Sequence, residues 1–127
     1  MPRDVRLFLD DILESLKKIR DYTIGMDYDA FIKDPKTQDA VVRNLEIIGE
    51  AAGRLPENIR TAAPEIEGPK IVALRNLLAH EYFGISLPVV WDLIQNKLDP
   101  LESSCQTLFF GIFDDLYKGF LSRLFHP

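Results

Sequence analysis

The sequence predicts an all-α protein, an up-and-down four-helix bundle with extra short helices. Apolar residues recur every three or four positions along most of the chain, which is the period of amphipathic helices. No segment alternates apolar and polar residues as a half-buried strand does, and no hairpin signal such as Asn-Gly occurs. Prolines and glycines interrupt the helical pattern, so several separate helices are expected.

Length and composition indicate one soluble globular domain. The chain has 127 residues, of which 46% are hydrophobic and 28% are charged. The net charge of −5 argues against a broad basic face for non-specific nucleic-acid binding, and no DNA partner is expected. A small basic pocket that meets one phosphate remains compatible with this charge.

The numbers of cysteine and histidine residues indicate the cellular compartment and argue against a zinc site. Cys105 is the single cysteine, so the chain forms no internal disulfide and a reducing compartment is expected. One cysteine and one central histidine fall short of a zinc site, so neither metal nor cofactor is predicted. Residues 1–16 lack the apolar run of a signal peptide, and the uncharged stretch 103–113 is shorter than the roughly 20 residues that span a bilayer. We therefore expect a cytoplasmic protein with no membrane segment.

The first predicted helix runs from Asp4 to Thr23. Its apolar positions repeat at three and four residues: Val5, Phe8, Leu9, Ile12, Leu13, Leu16 and Ile19. Gly25 is a plausible stop, because glycine commonly follows the end of a helix. Residues 27–33 then predict one short helical turn that Asp27 caps and Phe31 anchors.

The second long helix is predicted to begin at Asp34-Pro35 and to end near Leu55. Asp34 is the expected N-cap, and Pro35 suits the first helical position. The predicted apolar stripe comprises Val41, Leu45, Ile48, Ala52 and Leu55. Gly49 and Gly53 predict close helix packing, with a ligand role as the alternative.

Prolines divide the rest of the chain. Residues 57–63 predict a short helix, and Pro69 and Gly84 are expected to begin and end the next long one. Ser86 is the expected N-cap of the helix after that, and Pro88 is tolerated in its first turn. Asp99-Pro100 predicts a kink or a restart, followed by helix to about residue 109.

The last 17 residues form a separable segment. We divide the chain into a helical bundle, residues 1–110, and an apolar helical tail, residues 111–127. The tail has a wide apolar stripe with charged residues opposite. This pattern predicts a helix that packs either on its own bundle or on a partner chain or second subunit.

Chemistry concentrates in one stretch, residues 75–82. Arg75, Asn76, His80 and Tyr82 place a cation, an amide, an imidazole and a phenol within a segment that is otherwise apolar. On a regular helix Asn76 and His80 share a face, whereas Arg75 and His80 point about 140° apart. A buried polar network or a cap is the structural alternative to a catalytic site.

The functional reading is phosphate chemistry on RNA. Arginine binds phosphate through a charged, bidentate fork, and histidine moves protons near neutral pH. Cleavage without metal needs both a base and an acid. His126 is the penultimate residue, so His80 is the one usable histidine per chain and its acid–base partner is expected from a second subunit.

The pattern Arg75-Asn76-x3-His80-x-Tyr82 resembles the R-x4-H-x-Y signature of the HEPN family, in particular that of HepT-type toxins. Residues 3–14, 39–51 and 80–91 resemble further blocks of the same family, in the same order. The similarity covers roughly residues 2–108.

The resemblance implies a HEPN-like bundle that dimerises and places two motifs in one cleft. It implies the toxin of a type VII-like toxin–antitoxin system, a metal-independent endoribonuclease with Arg75 and His80 as catalytic residues and Asn76 as an auxiliary RNA-binding residue. It also implies a nucleotidyltransferase antitoxin that transfers AMP to Tyr82. The alternative is a non-catalytic HEPN module that binds nucleotide or substrate for a partner nucleotidyltransferase.

Overall fold

The computed structural model describes the backbone of residues 3–62 and 86–125, and the side chains of residues 5–60 and 86–111. Six helices lie in these ranges, and no strand occurs in them: α1 (Arg3–Thr23), α2 (Tyr28–Ile32), α3 (Pro35–Arg54), α4 (Glu57–Ala62), α5 (Leu87–Asn96) and α6 (Leu98–Phe125). The all-α fold class is therefore confirmed. The long helix predicted between Pro69 and Gly84 lies outside the described residues.

The core forms around α1, which packs against α3 and α6. The buried residues of α1 follow the predicted apolar stripe: Val5, Leu9, Ile12, Leu16 and Ile19. The predicted stripe of α3 is buried as well, and it joins the same cluster. Each of these larger side chains contributes roughly 1.5–3 kcal/mol on leaving water, so this cluster is the main source of stability.

Neighbouring long helices run antiparallel. Arg20, in the last turn of α1, forms ion pairs with Asp99 and Glu102 in the first turns of α6. At the other end of α1, Phe8 lines a shallow cleft together with Arg54, the last residue of α3. The end of α1 thus lies beside the start of α6, and the start of α1 lies beside the end of α3. Both pairs are therefore antiparallel, as in an up-and-down bundle.

Side-chain caps set the boundaries of α2 and α3. Asp27 accepts a hydrogen bond of 2.8 Å from the backbone N–H of Ala30. Asp34 accepts bonds from the backbone N–H and the hydroxyl of Thr37, at 3.1 and 2.7 Å. Gly25 has a φ of 74°, a left-handed conformation that disfavours side chains with a Cβ. All three residues act where the sequence predicted a start or a stop.

Two predicted boundaries differ in detail from the structure. Ser86 precedes α5 as expected, but its side chain makes no capping hydrogen bond. The break between α5 and α6 falls at Lys97, and Pro100 lies within the first turn of α6. Proline is tolerated there because the first N–H groups of a helix have no acceptor within it. The restart is thus confirmed, three residues earlier than predicted.

Helix α6 is longer than the sequence predicted. It continues without interruption across Gly111 to Phe125. A glycine inside a helix costs only about 1 kcal/mol relative to alanine, so the residue need not end it. The boundary drawn between residues 110 and 111 therefore coincides with no helix end. The side chains of residues 112–127 lie outside the described set, and the surface on which the tail packs stays a prediction.

Candidate functional site

The four predicted site residues, Arg75, Asn76, His80 and Tyr82, all lie outside the described residues. Their roles therefore remain predictions from the sequence. The structure describes the two points at which the segment that carries them, residues 63–85, joins the bundle. Helix α4 ends at Ala62, immediately before that segment, and Ser86 precedes α5 immediately after it.

The entry point is fixed by packing at α4. Leu55 and Ile59 are buried in the central core cluster, at 2% and 6% exposure. The backbone N–H groups of Ile59 and Arg60 both donate to the carbonyl of Pro56, at 3.0 and 3.1 Å. The short helix is therefore held by side chains on one face and by a shared acceptor at its start.

The exit point is fixed by α5. Val90 is fully buried in the same core cluster, and its N–H donates to the carbonyl of Ser86 at 3.0 Å. The ring centroid of Trp91 lies 5.2 Å from that of Phe31 and 6.2 Å from that of Tyr28, and these contacts join α5 to α2. The helices on either side of residues 63–85, α4 and α5, are thus packed on one apolar core.

Two buried polar atoms lack a hydrogen-bond partner within the described part of the chain: Oδ1 of Asn44 and Nε of Arg60. Asn44 lies in α3, where its amide nitrogen donates to the carbonyl of Ala40 at 2.8 Å. A buried polar group without a partner costs roughly 1–3 kcal/mol, so each of these atoms calls for a reason.

Arg60 is half-buried and lies in the last turn of α4, three positions before residue 63, where the motif-bearing segment begins. Its Nε makes no hydrogen bond, whereas the guanidinium of Arg20 is held by two carboxylates. Sequence reasoning did not identify Arg60 as a site residue. A single arginine near a helix end is common in sequence, and only its burial distinguishes it.

The lone cysteine is not a candidate nucleophile. Cys105 is fully buried in α6. Burial, with a smaller contribution from the nearby Glu102 carboxylate, raises the pKa of the Cys105 thiol to about 12. Because the thiolate is the reactive form, the residue is inert near neutral pH and serves as core.

The described ranges contain neither a metal-binding cluster nor a membrane-spanning helix. No group of three or more histidine, cysteine, aspartate or glutamate residues lies close enough together there to hold a metal ion. Among the helices of residues 3–62 and 86–125, none combines the length and apolar character that crossing a membrane demands.

Comparison with known proteins decides the family. The profile of the family described as "Ribonuclease HepT-like" matches residues 12–108, a range that includes the whole motif from Arg75 to Tyr82. The chain belongs to the HepT-like ribonuclease family. The resemblance seen in the sequence is thereby confirmed at the level of the family, which supports ribonuclease activity as the general class of function.

Relatives of the HepT-like chain match over most of their length. A Methanocaldococcus jannaschii protein named "Putative RNase MJ0127" is 48% identical over 99 residues, covering 77% of this chain and 82% of the relative. A second protein of that organism, "Putative RNase MJ1380", is 36% identical over 82% of this chain and 95% of its own. "Probable ribonuclease HepT" of Thermococcus cleftensis is 34% identical over 85% of this chain and 98% of its own. No solved structure matches the chain significantly.

Proposed function

We propose that this HepT-like chain is the toxin of a toxin–antitoxin pair, a metal-independent endoribonuclease whose active site is shared by two subunits. The observation that carries the proposal is the family match over residues 12–108, which contains the complete Arg-x4-His-x-Tyr pattern. The anchoring of both ends of residues 63–85 on one core supports it, because a catalytic segment must be held in a fixed position.

The proposed reaction is transfer within the RNA backbone. A base removes the proton of the 2′-hydroxyl, the 2′-oxygen forms a bond to phosphorus, and the bond to the 5′-oxygen breaks. An acid then protonates the departing 5′-oxygen, so the products are a cyclic phosphate and a 5′-hydroxyl. His80 exchanges the protons, and Arg75 stabilises the charge that develops on the phosphate oxygens. Asn76 assists in binding the RNA.

The second acid–base group is supplied by a second copy of the chain. His80 is the one histidine of the motif. A symmetric dimer brings two copies of the same residue to its axis and so provides both a base and an acid. Heterodimers of one active and one His80→Ala subunit are expected to lose most of their activity per dimer. Full activity in isolated heterodimers would refute the shared site.

Control of the toxin is proposed to act on Tyr82. A nucleotidyltransferase antitoxin would transfer AMP from ATP to the phenol, so that the tyrosine oxygen bonds to the α-phosphorus and pyrophosphate leaves. The added phosphate carries negative charge and bulk close to Arg75 in the sequence, which would oppose entry of the RNA backbone. After incubation with the partner and ATP, the intact mass should rise by whole AMP units. A Tyr82→Phe protein that gained the same mass would refute the acceptor.

Activity in the presence of a chelator is the direct test of catalysis. Purified, unmodified protein should cut RNA in EDTA, and His80→Ala should abolish cutting while the melting temperature stays unchanged. Equal cutting by both proteins would show that a contaminant or another site is responsible. Absence of cutting by the unmodified parent would instead favour the alternative, a module that binds nucleotide or substrate without cleaving it.

A further inference from the structure

Helix α6 exposes a face that carries no charge over three turns. The side of the helix that packs on the core contains the fully buried Cys105 and the half-buried Phe109. The opposite side, which we call the outer face, is exposed at four described positions: Ser103, Gln106, Thr107 and Phe110. No residue from 103 to 113 is charged, although 28% of the chain is. The cores of protein interfaces are depleted of charge in the same way, so the outer face has the composition of a contact surface.

Phe110 gives this face an apolar anchor. Its side chain is 65% exposed, which makes it the most exposed aromatic residue in the described part of the chain. The adjacent Phe109 packs against the core, and the two rings meet edge to face at 6.2 Å. Aromatic residues are enriched where proteins meet, because covering one ring removes a large apolar area from water.

The outer face continues beyond the part of the chain that the family shares. The backbone of α6 stays helical to Phe125, whereas the family profile ends at residue 108. Positions about seven residues apart lie on the same side of a helix, so 117 and 124 follow Phe110 along this face. The sequence has Tyr117 and Leu124 there. The face thus changes from polar at Ser103 to apolar in the second half of the helix.

The charges of α6 favour a second copy of the helix as the partner. Acidic residues lie at its start, Asp99 and Glu102, and basic residues lie towards its end, Lys118 and Arg123. Two antiparallel copies bring the acidic start of one helix beside the basic end of the other, and their helix dipoles also oppose each other. The side chain of Asp99 is 89% exposed although it pairs with Arg20, so it remains accessible to a partner.

The position of Phe110 and Gly111 suits such a symmetric contact. They are the two residues just before the midpoint of the 28-residue helix, so a crossing there overlaps both copies over nearly their whole length, about 42 Å. A Cβ at Gly111 would meet no atom within 4 Å. The fold of one chain therefore does not require glycine at this place, where glycine weakens a helix. Close approach of a second helix gives the missing side chain a use.

We propose that a second copy of the chain docks on the outer face of α6, with the two α6 helices antiparallel and crossing near Phe110. This inference rests on the dimer of the proposed function and names the surface at which its two copies meet. RNA is a poor occupant of the same surface, because the outer face offers no positive charge to phosphate between residues 103 and 113.

Sedimentation of the full chain over a concentration series tests the surface. The parent should be a dimer, and Phe110→Glu should weaken dimerisation by about 100-fold, since it removes a central anchor and places two like charges at the symmetry axis. Val89→Glu is the matched control, because it makes the same kind of change at an apolar residue of α5 that is 47% exposed. This variant should stay dimeric.

Cysteine cross-linking tests the antiparallel crossing. Phe110→Cys should form a disulfide between two copies, because a disulfide needs Cα atoms roughly 4.4–6.8 Å apart and residue 110 lies next to its own copy. Ser103→Cys lies on the same face, but two turns from the axis its copy would be about 20 Å away, so it should not cross-link. The parent is the background control, since its Cys105 is buried.

Four results would overturn the proposal. These are a parent that sediments as a monomer, a Phe110→Glu protein as dimeric as Val89→Glu, no cross-link in Phe110→Cys, and equal cross-linking at both positions, which would indicate parallel helices. A monomeric parent that binds the nucleotidyltransferase through Phe110 would assign the face to that protein instead. A monomeric parent whose melting temperature falls in Phe110→Glu would assign it to other residues of the same chain.

Failure of the proposed function gives a different result. A Phe110→Glu protein that stays dimeric and cuts RNA in EDTA would refute this surface and leave the shared active site standing. A dimeric parent that does not cut RNA, while Phe110→Glu is monomeric, would refute the ribonuclease and leave the surface standing.

Discussion

Arg20 and Arg60 occupy equivalent positions in the sequence of their helices but opposite environments in the fold. Each lies in the last turn of its helix, α1 for Arg20 and α4 for Arg60. Arg20 forms ion pairs with Asp99 and Glu102, and these ion pairs link α1 to α6. Arg60 has its Nε buried without an acceptor. Arg20 therefore links two helices through its charge, whereas one N–H of Arg60 is buried without a hydrogen bond.

The surroundings of Arg20 and Arg60 differ in electrostatics, because the apolar residues that anchor the two places are similarly buried. Ile59 beside Arg60 and Leu98 beside Asp99 are 6% and 4% exposed, and both belong to the central core cluster. Apolar packing thus fixes both places, and the two differ in the hydrogen bonds that the arginine makes.

The largest expected effects come from the two anchors. Ile59→Ala and Leu98→Ala should each lower the free energy of unfolding by about 2–5 kcal/mol, because both leave a cavity in the core. Urea denaturation followed by circular dichroism measures the change. The comparison predicts similar losses at the two sites. A loss below 1 kcal/mol at Ile59 alone would show that α4 is not held by the core.

Removing the paired arginine should have the next largest effect. Arg20→Met is expected to destabilise the protein by about 1 kcal/mol, since it breaks two ion pairs that remain partly exposed to solvent. The loss should shrink at high salt, because the parent's ion pairs are then screened while the variant has none. Comparing unfolding at low and high salt tests this. A salt-independent loss would mean that the aliphatic stem of Arg20, rather than its charge, stabilises the junction.

The same substitution at Arg60 should have the opposite sign or no effect on stability. Arg60→Met removes a buried donor without an acceptor and keeps a long apolar stem, so the free energy of unfolding should stay the same or rise by about 1 kcal/mol. Urea denaturation beside Arg20→Met makes the contrast direct. A destabilisation as large as that of Arg20→Met would show that the guanidinium of Arg60 has a structural partner.

The smallest expected effect on stability concerns Asp34, the N-cap of α3. Its carboxylate is hydrogen-bonded by Thr37, three residues along the chain, and makes no use of the contacts around Arg20 or Arg60. Hydrogen bonds from the hydroxyl and the backbone N–H of Thr37 lower the pKa of Asp34 below its usual value of 3.8. A lowered pKa means that the ionised form stabilises the fold at higher pH, and that this contribution is lost as pH falls below 3.8.

Asp34→Asn keeps an acceptor for the cap but cannot titrate. Its melting temperature should therefore fall less steeply than that of the parent as pH drops through and below 3.8. Identical pH profiles of the two proteins would contradict the capping role of the ionised carboxylate. Asp27→Asn, which alters the cap of α2, serves as the matched control.

Local signals predicted the described helices well. Asp27, Asp34 and Gly25 act where expected, since capping and a left-handed turn depend on residues only a few positions apart. The exact end of α5 and the length of α6 were predicted less accurately. Proline in a first turn and glycine within a helix are tolerated at a cost that packing of the whole element outweighs.

By itself, the sequence determined the helical class, the apolar faces and the motif that indicates the family, because periodicity and residue chemistry are local properties. Only the tertiary structure decided what surrounds each charge. The carboxylates that hold Arg20 lie about 80 positions away along the chain, and only the fold brings them to it. Partnering over that distance depends on how whole helices pack, which no short pattern of residues encodes.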